Sequence, residues 1–70
     1  MELIILKTYI DSEIQVNRIR KIMIEEPKIK DWTIDMEDRD KVLRIEVKGL
    51  SEMDMINKIR LNGIDCDVLN

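Results

Sequence analysis

The amino-acid sequence predicts an α+β fold in which a four-stranded antiparallel sheet carries two helices on one face. The first observation is the spacing of apolar residues, which changes along the chain in the order strand, helix, strand, strand, helix, strand. The second is the presence of helix start and stop signals, because each helical pattern is preceded by a serine and followed by proline or glycine. The third is composition: the apolar residues are mainly β-branched or leucine, with no phenylalanine, and this bias favours sheet.

The first strand is predicted at residues 2–8. Residues 3–6 are a continuous apolar run that ends in Lys7 and Thr8. Such a run is typical of a strand that is covered on much of both faces, which indicates a central position in the sheet. The run fits either alternation of its side chains, so both choices of the face that meets the helices remain open.

The first helix is predicted from Ser12 to Glu26 at most, because the residue before Pro27 is pushed out of the helical region. Ser12 and Gln15 have the spacing of a capping box, in which the serine accepts from the backbone N–H of Gln15 and Gln15 reaches back to the N–H of Ser12. The apolar residues recur at spacings of three and four: Val16, Ile19, Ile22 and Met23.

A hairpin is predicted after Pro27, where the period changes to two. One strand turns Trp32, Ile34 and Met36 inward, and the other turns Leu43, Ile45 and Val47 inward. The chain reverses at residues 38–40. On the exposed face, Asp35 and Glu37 are expected across from Arg44 and Lys48, where opposite charges help to fix the register.

The second helix is predicted to begin after Ser51 as N-cap and to stop at Asn62 and Gly63. Its apolar stripe contains Ile56, Ile59 and either Met55 or Met53. A short strand closes the chain, with Ile64, Cys66 and Val68 facing inward. Right-handed crossovers then give a ferredoxin-like βαββαβ sandwich.

Length and charge exclude several functions. Seventy residues are expected to form one domain, residues 1–70. With a net charge of −3, no dense basic cluster and two aromatic residues, the chain is not expected to bind nucleic acid. The apolar run at residues 3–6 is too short to span a membrane, which predicts a cytoplasmic protein. The absence of histidine and of any nucleophile or phosphate-loop motif argues against an enzyme.

The chain resembles the heavy-metal-associated domain family along nearly all of its length. Val16, Ile19 and Met23 match the family's apolar helix positions. Three short segments carry the rest of the likeness: residues 27–29, residues 32–35 and residues 62–64. The resemblance implies the ferredoxin-like fold and a role in handling copper or another soft metal.

The resemblance places the family's metal-binding Met-x-Cys-x-x-Cys motif on residues 10–15. Ser12 and Gln15 then occupy the positions of the two cysteines, and Tyr9 replaces the glycine that usually precedes the motif. Soft monovalent copper and thiolate zinc sites require ionised sulfur, whereas a hydroxyl and an amide are neutral, hard donors. The chain is therefore interpreted as a degenerate member without the usual metal site, and with no cofactor.

The leading hypothesis is a non-enzymatic module that acts through protein contacts or as an accessory in metal handling. Half of the first strand's apolar run faces away from the helices, so Leu3 and Ile5 are candidates for a contact with a protein partner or a second copy. The alternative is a copper or zinc binder that uses Cys66 and methionines, or a partner's ligands. Cys66 itself is expected to be a small buried residue on the inward face of the last strand.

Overall fold

The computed structural model describes residues 2–69 and contains the six elements in the predicted order. Strand β1 (Glu2–Thr8) leads into helix α1 (Glu13–Glu25), which is followed by the hairpin of β2 (Ile29–Asp35) and β3 (Val42–Val47). Helix α2 (Glu52–Leu61) and the short strand β4 (Cys66–Val68) complete the chain. The α+β, ferredoxin-like prediction is confirmed.

The four strands form one antiparallel sheet in the order β2-β3-β1-β4. Strand β1 therefore has a neighbour on each side, as its continuous apolar run predicts. The structure also decides which face of β1 meets the helices. Ile4 and Leu6 are buried among the helix residues, whereas Leu3 is 57% exposed and Ile5 half-buried on the opposite, open face.

The core lies between the sheet and the two helices. Both helices contribute their predicted stripes, and Met55 rather than Met53 takes the inward position of α2, with Met53 57% exposed. Fully burying a side chain such as leucine, isoleucine or methionine contributes about 1.5–3 kcal/mol to the stability of the fold. The side chains with the least exposure are Leu6, Ile19, Leu43, Ile45, Val47, Met55, Ile59, Ile64 and Cys66.

Two hairpin predictions are wrong. Met36 is 37% exposed because β2 ends at Asp35, whose Oδ1 accepts the backbone N–H groups of Glu37 and Asp38 at 3.1 and 3.2 Å and turns the chain away. The predicted opposition of Asp35 and Glu37 to Arg44 and Lys48 is also absent. Asp35 pairs with Val42, and Arg44 pairs with Thr33. Glu37 lies beyond the end of β2, and the backbone N–H of Lys48 donates to the carbonyl of Lys28.

Neither helix within residues 2–69 has the length and apolar character needed to cross a membrane.

Candidate functional site

The candidate site is the junction between β1 and α1 together with the start of the helix, residues 9–15, and contacts from two neighbouring loops hold the beginning of this segment in place. The backbone N–H of Thr8 donates to the carbonyl of Asp40 at 3.0 Å, and that of Tyr9 donates to the carbonyl of Asp65 at 3.1 Å. The buried hydroxyl of Thr8 donates to the carbonyl of Lys41 at 2.8 Å. The loops β1–α1, β2–β3 and α2–β4 therefore meet at one end of the sheet.

The polar side chains of the junction are engaged in a helix cap. Ser12 is the N-cap of α1, and its Oγ accepts from the backbone N–H of Gln15 at 3.5 Å. Gln15 Oε1 accepts from the backbone N–H of Asp11 at 2.8 Å. The prediction that Gln15 would reach the N–H of Ser12 is wrong by one residue, because the amide side chain extends to the residue before the cap.

The exposed surface of the junction combines apolar and acidic side chains. Tyr9 is 55% exposed and Ile14 is 67% exposed, whereas Ile10 points into the core at 3%. Asp11 and Glu13 are exposed, and Glu13 lies in the first turn of α1, where a negative charge suits the helix dipole. The oxygens of Ser12 and Gln15 are neutral and already hydrogen-bonded, so the junction offers a soft metal ion no thiolate.

Cys66 lies one strand away from the junction but faces the core. It pairs with Thr8 across β1 and β4 and has no exposed surface. Burial raises the pKa of its thiol, although Arg60 acts in the opposite direction. Its Sγ lies 4.0 Å from the carbonyl oxygen of Ile56 in α2. The structure therefore places this candidate ligand inside the core, as its alternation in the sequence predicts.

Other candidate ligands are scattered. Within residues 2–69, no three His, Cys, Asp or Glu side chains gather as a metal site would require. Met23 and Met55 are buried in the core, whereas Met36 and Met53 lie at the surface. Met1 lies outside the described residues. The buried pair, Met23 and Met55, is therefore not available to a metal bound at the surface.

The candidate contact residues Leu3 and Ile5 lie on the open face of the sheet, which no helix covers. Leu69, which sequence reasoning missed, adjoins them, because its backbone N–H donates to the carbonyl of Ile5 at 3.3 Å and its side chain is half-buried. The signal was available in the alternation of residues 65, 67 and 69 on one face. These three apolar residues form a small patch, hereafter the open-face patch.

Comparison with solved structures identifies the architecture. The yeast copper transporter domain Ccc2a, solved in apo and Cu(I)-loaded states, matches with a TM-score of 0.83 and 14% identity, covering 100% of this chain and 97% of that one. The chain shares the ferredoxin-like fold of this copper transporter domain. The Atx1–Cu(I)–Ccc2a complex gives a TM-score of 0.84 at 14% identity, with 100% and 97% coverage. A copper-binding domain from HMA7, a P-type ATPase, gives 0.83 at 11%, with 100% and 96% coverage.

No model of a known protein family matches the sequence, and no curated protein matches it by sequence. At 11–14% identity, the likeness to the copper-binding structures is one of fold. Within that shared fold, the β1–α1 junction of this chain carries the cap formed by Ser12 and Gln15.

Proposed function

We propose that the chain is a cytoplasmic, non-enzymatic accessory module for metal handling that has lost the usual metal site and acts through protein contacts. The observation that carries the proposal is the engagement of the two side chains at the metal-motif positions. Gln15 Oε1 accepts a hydrogen bond of 2.8 Å from the backbone N–H of Asp11, and Ser12 Oγ caps α1 by accepting from the backbone N–H of Gln15. Both oxygens stabilise the junction itself, so a metal would have to compete with the fold for them.

The fold supports the link to metal handling. The similar solved structures are a copper transporter domain, a complex of two proteins with Cu(I), and a copper-binding ATPase domain. The complex also supports a role in protein contact, since Atx1 and Ccc2a associate in it. In the present chain, the open-face patch of Leu3, Ile5 and Leu69 is a candidate contact surface for a protein partner or a second copy.

Metal binding through Cys66 is not favoured by its surroundings. A metal ligand must be a deprotonated thiolate, whereas burial raises the pKa of this thiol and no part of Cys66 is exposed. Coordination by the side chain would require the last strand or α2 to move away. A partner's ligands would meet the same obstacle.

A copper competition experiment tests the loss of the site. The wild-type protein and the double variant Ser12→Cys/Gln15→Cys are titrated with Cu(I) against a coloured chelator under anaerobic conditions. We expect the variant to remove one Cu(I) per chain from the chelator and the wild type to remove none at micromolar concentration. The matched control is Cys66→Ala in the wild-type background, which we expect to behave as the wild type does.

Each departure from this pattern has a distinct meaning. Uptake of one Cu(I) by the wild type would overturn the proposed loss, and its disappearance in Cys66→Ala would assign the metal to that thiol. A correctly folded double variant that takes up no copper would show that the junction is not the counterpart of the metal motif. Light scattering and a concentration series of NMR spectra test the contact surface: a strict monomer would remove self-association through the open-face patch.

A further inference from the structure

The two edges of the sheet differ in how their backbone groups are satisfied. On β4, the N–H of Leu69 and the carbonyl of Asp65 bond to β1, so the backbone groups of Cys66 and Val68 point outward. Side chains bond to three of these four groups. Asp65 accepts from the N–H of Cys66 at 2.9 Å, Asp67 accepts from the N–H of Val68 at 2.8 Å, and Arg60 donates to the carbonyl of Cys66 at 2.9 Å.

The β2 edge is largely uncapped. Alternation across β1 and β3 directs the backbone groups of Thr33 toward β3, where Thr33 pairs with Arg44, and those of Trp32 and Ile34 outward. The N–H of Trp32 donates to Asp31 Oδ1 at 2.8 Å. Among residues 2–69, no side chain bonds to the outward N–H of Ile34 or to the outward carbonyls of Trp32 and Ile34. This edge is therefore ready to pair with another strand.

The side chains beside the β2 edge form two rows of different character. Trp32 and Ile34 are half-buried on the helix side, and the guanidinium of Arg20 lies 5.9 Å from the centroid of the Trp32 ring. Ile24 is 73% exposed and lies one helical turn after Arg20, on the same side of α1. If another strand paired with β2, an apolar side chain of that strand would lie beside Trp32. The side of α1 that carries Arg20 and Ile24 would then cover it.

The row on the open side of the β2 edge is polar and acidic. Asp31, Thr33 and Asp35 are all exposed there, and the two carboxylates belong to residues four positions apart along an extended strand. A strand placed beside β2 would put alternate side chains opposite these three. Basic residues at the two positions facing Asp31 and Asp35 would complement the charge.

We propose that the β2 edge binds an extended segment of a partner protein as a fifth strand, and that this segment alternates basic with apolar side chains. The inference deepens the proposed function and rests on it, since it names the surface and the partner chemistry of a module that acts by protein contact. Main-chain hydrogen bonds supply affinity in such strand addition, and alternate side chains supply specificity. The preferred segment reads basic, apolar, small polar, apolar, basic.

A second copy of the chain fits this edge less well than such a segment. In an antiparallel pairing centred on Thr33, Trp32 would bond to Ile34 of the second copy, and Asp31 would then face Asp35 of the second copy. Like charges directly opposite each other are destabilising. The acidic row therefore selects a basic strand over its own copy.

The test is an NMR titration of the full chain with the capped peptide Lys-Val-Thr-Val-Lys. We expect shifts in the amides of residues 31–35 and in Arg20 and Ile24. The control peptide Glu-Val-Thr-Val-Glu should produce none of these shifts. Ile34→Pro removes the outward N–H at a position where proline is tolerated, and it should weaken peptide binding at least tenfold while the remaining spectrum stays folded.

A pair of matched substitutions separates the two edges. Asp31→Asn keeps a side-chain oxygen for the N–H of Trp32 but removes the charge, and it should weaken the peptide severalfold. Asp67→Asn makes the same change on the β4 edge and should leave the affinity unaltered. If the two substitutions weakened peptide binding equally, the attraction would depend on the net charge of the protein and not on the β2 edge. That result would overturn the proposal.

The remaining outcomes also decide the matter. Shifts confined to Leu3, Ile5 and Leu69 would leave the proposed protein-binding function intact and overturn the edge as its site. Concentration-dependent shifts of residues 32–34 without peptide would identify a second copy as the occupant and overturn the proposal. Absence of any shift at millimolar peptide would do the same. Copper uptake by the wild type would count against the proposed function alone, whatever the peptide result.

Discussion

Gln15 Oε1 accepts a hydrogen bond of 2.8 Å from the backbone N–H of Asp11, so this side chain closes the loop ahead of its own helix. The companion bond is long, with Ser12 Oγ 3.5 Å from the backbone nitrogen of Gln15. The second helix has a tighter, reciprocal cap, in which Ser51 and Asp54 exchange bonds of 3.0 and 3.1 Å. The serine cap of α1 is therefore weaker than the serine cap of α2.

The two caps should respond differently to truncation. We expect Ser51→Ala to lower the free energy of unfolding by about 1 kcal/mol, and Ser12→Ala to lower it by less than about 0.5 kcal/mol, because a 3.5 Å bond lies beyond the usual range for N–H donors. Urea unfolding followed by circular dichroism measures both. An equal or larger loss in Ser12→Ala would contradict the ranking.

Asp54 should give the protein a component of acid sensitivity. The backbone and side chain of Ser51 hydrogen-bond to the Asp54 carboxylate and lower its pKa below the ordinary value. The folded state thus binds this proton less readily than the unfolded chain does, so the stabilisation is complete above the ordinary aspartate pKa of about 3.9 and is lost as the pH falls through the lower, folded-state pKa.

The comparison that isolates this effect is wild type against Asp54→Asn, unfolded in urea at a series of pH values from 7 to 2. The wild type should be the more stable at neutral pH, and the difference between the two proteins should shrink on acidification in the window just described. A difference that is constant with pH would show that Asp54 contributes through packing or helix propensity alone.

The thiol of Cys66 should be unreactive in the native protein. It is fully buried, and burial raises its pKa, so both access and the thiolate fraction are reduced. We expect labelling by an aromatic disulfide to be at least a hundredfold slower in buffer than in denaturing urea. The control is Leu61→Cys in a Cys66→Ala background, since Leu61 is 87% exposed and should label at once. Rapid labelling of Cys66 in the native protein would show that the thiol is accessible and would make it a candidate metal ligand again.

Apolar periodicity predicts much of this fold because each element buries one face. The Ser12 cap and the proline that follows Glu26 bound α1 as expected, and the Ser51 cap does the same for α2. Periodicity does not report where a strand stops. The Asx turn of Asp35 ends β2 early and leaves Met36 outside.

Register was also beyond the sequence pattern. A bulge between Ile29 and Asp31 shifts the pairing of β2 with β3, and Thr33 rather than Asp35 lies across from Arg44. At the candidate site, the positions of Ser12 and Gln15 follow from the resemblance, but the Asp11 partner depends on how far an amide side chain reaches. The open β2 edge likewise requires knowledge of which backbone groups face outward.

The sharpest test of the sheet's two faces is a pair of adjacent truncations in β1, where a continuous apolar run left the choice of face open. Ile4 is 3% exposed within the core and Leu3 is 57% exposed on the open face. Removing a buried aliphatic side chain costs about 2–5 kcal/mol, whereas surface substitutions usually fall within about 0.5 kcal/mol. Ile4→Ala should therefore remove much of the stability of so small a domain.

Leu3→Ala should leave the unfolding midpoint in urea nearly unchanged, although the two residues are neighbours of similar size. The same variant separates stability from association. If the open-face patch binds a partner or a second copy, Leu3→Ala should weaken that contact without destabilising the fold, since 57% of the Leu3 surface is available before association. Comparable destabilisation by the two substitutions would mean that both faces of β1 are covered in solution, and would make the open face part of a permanent interface.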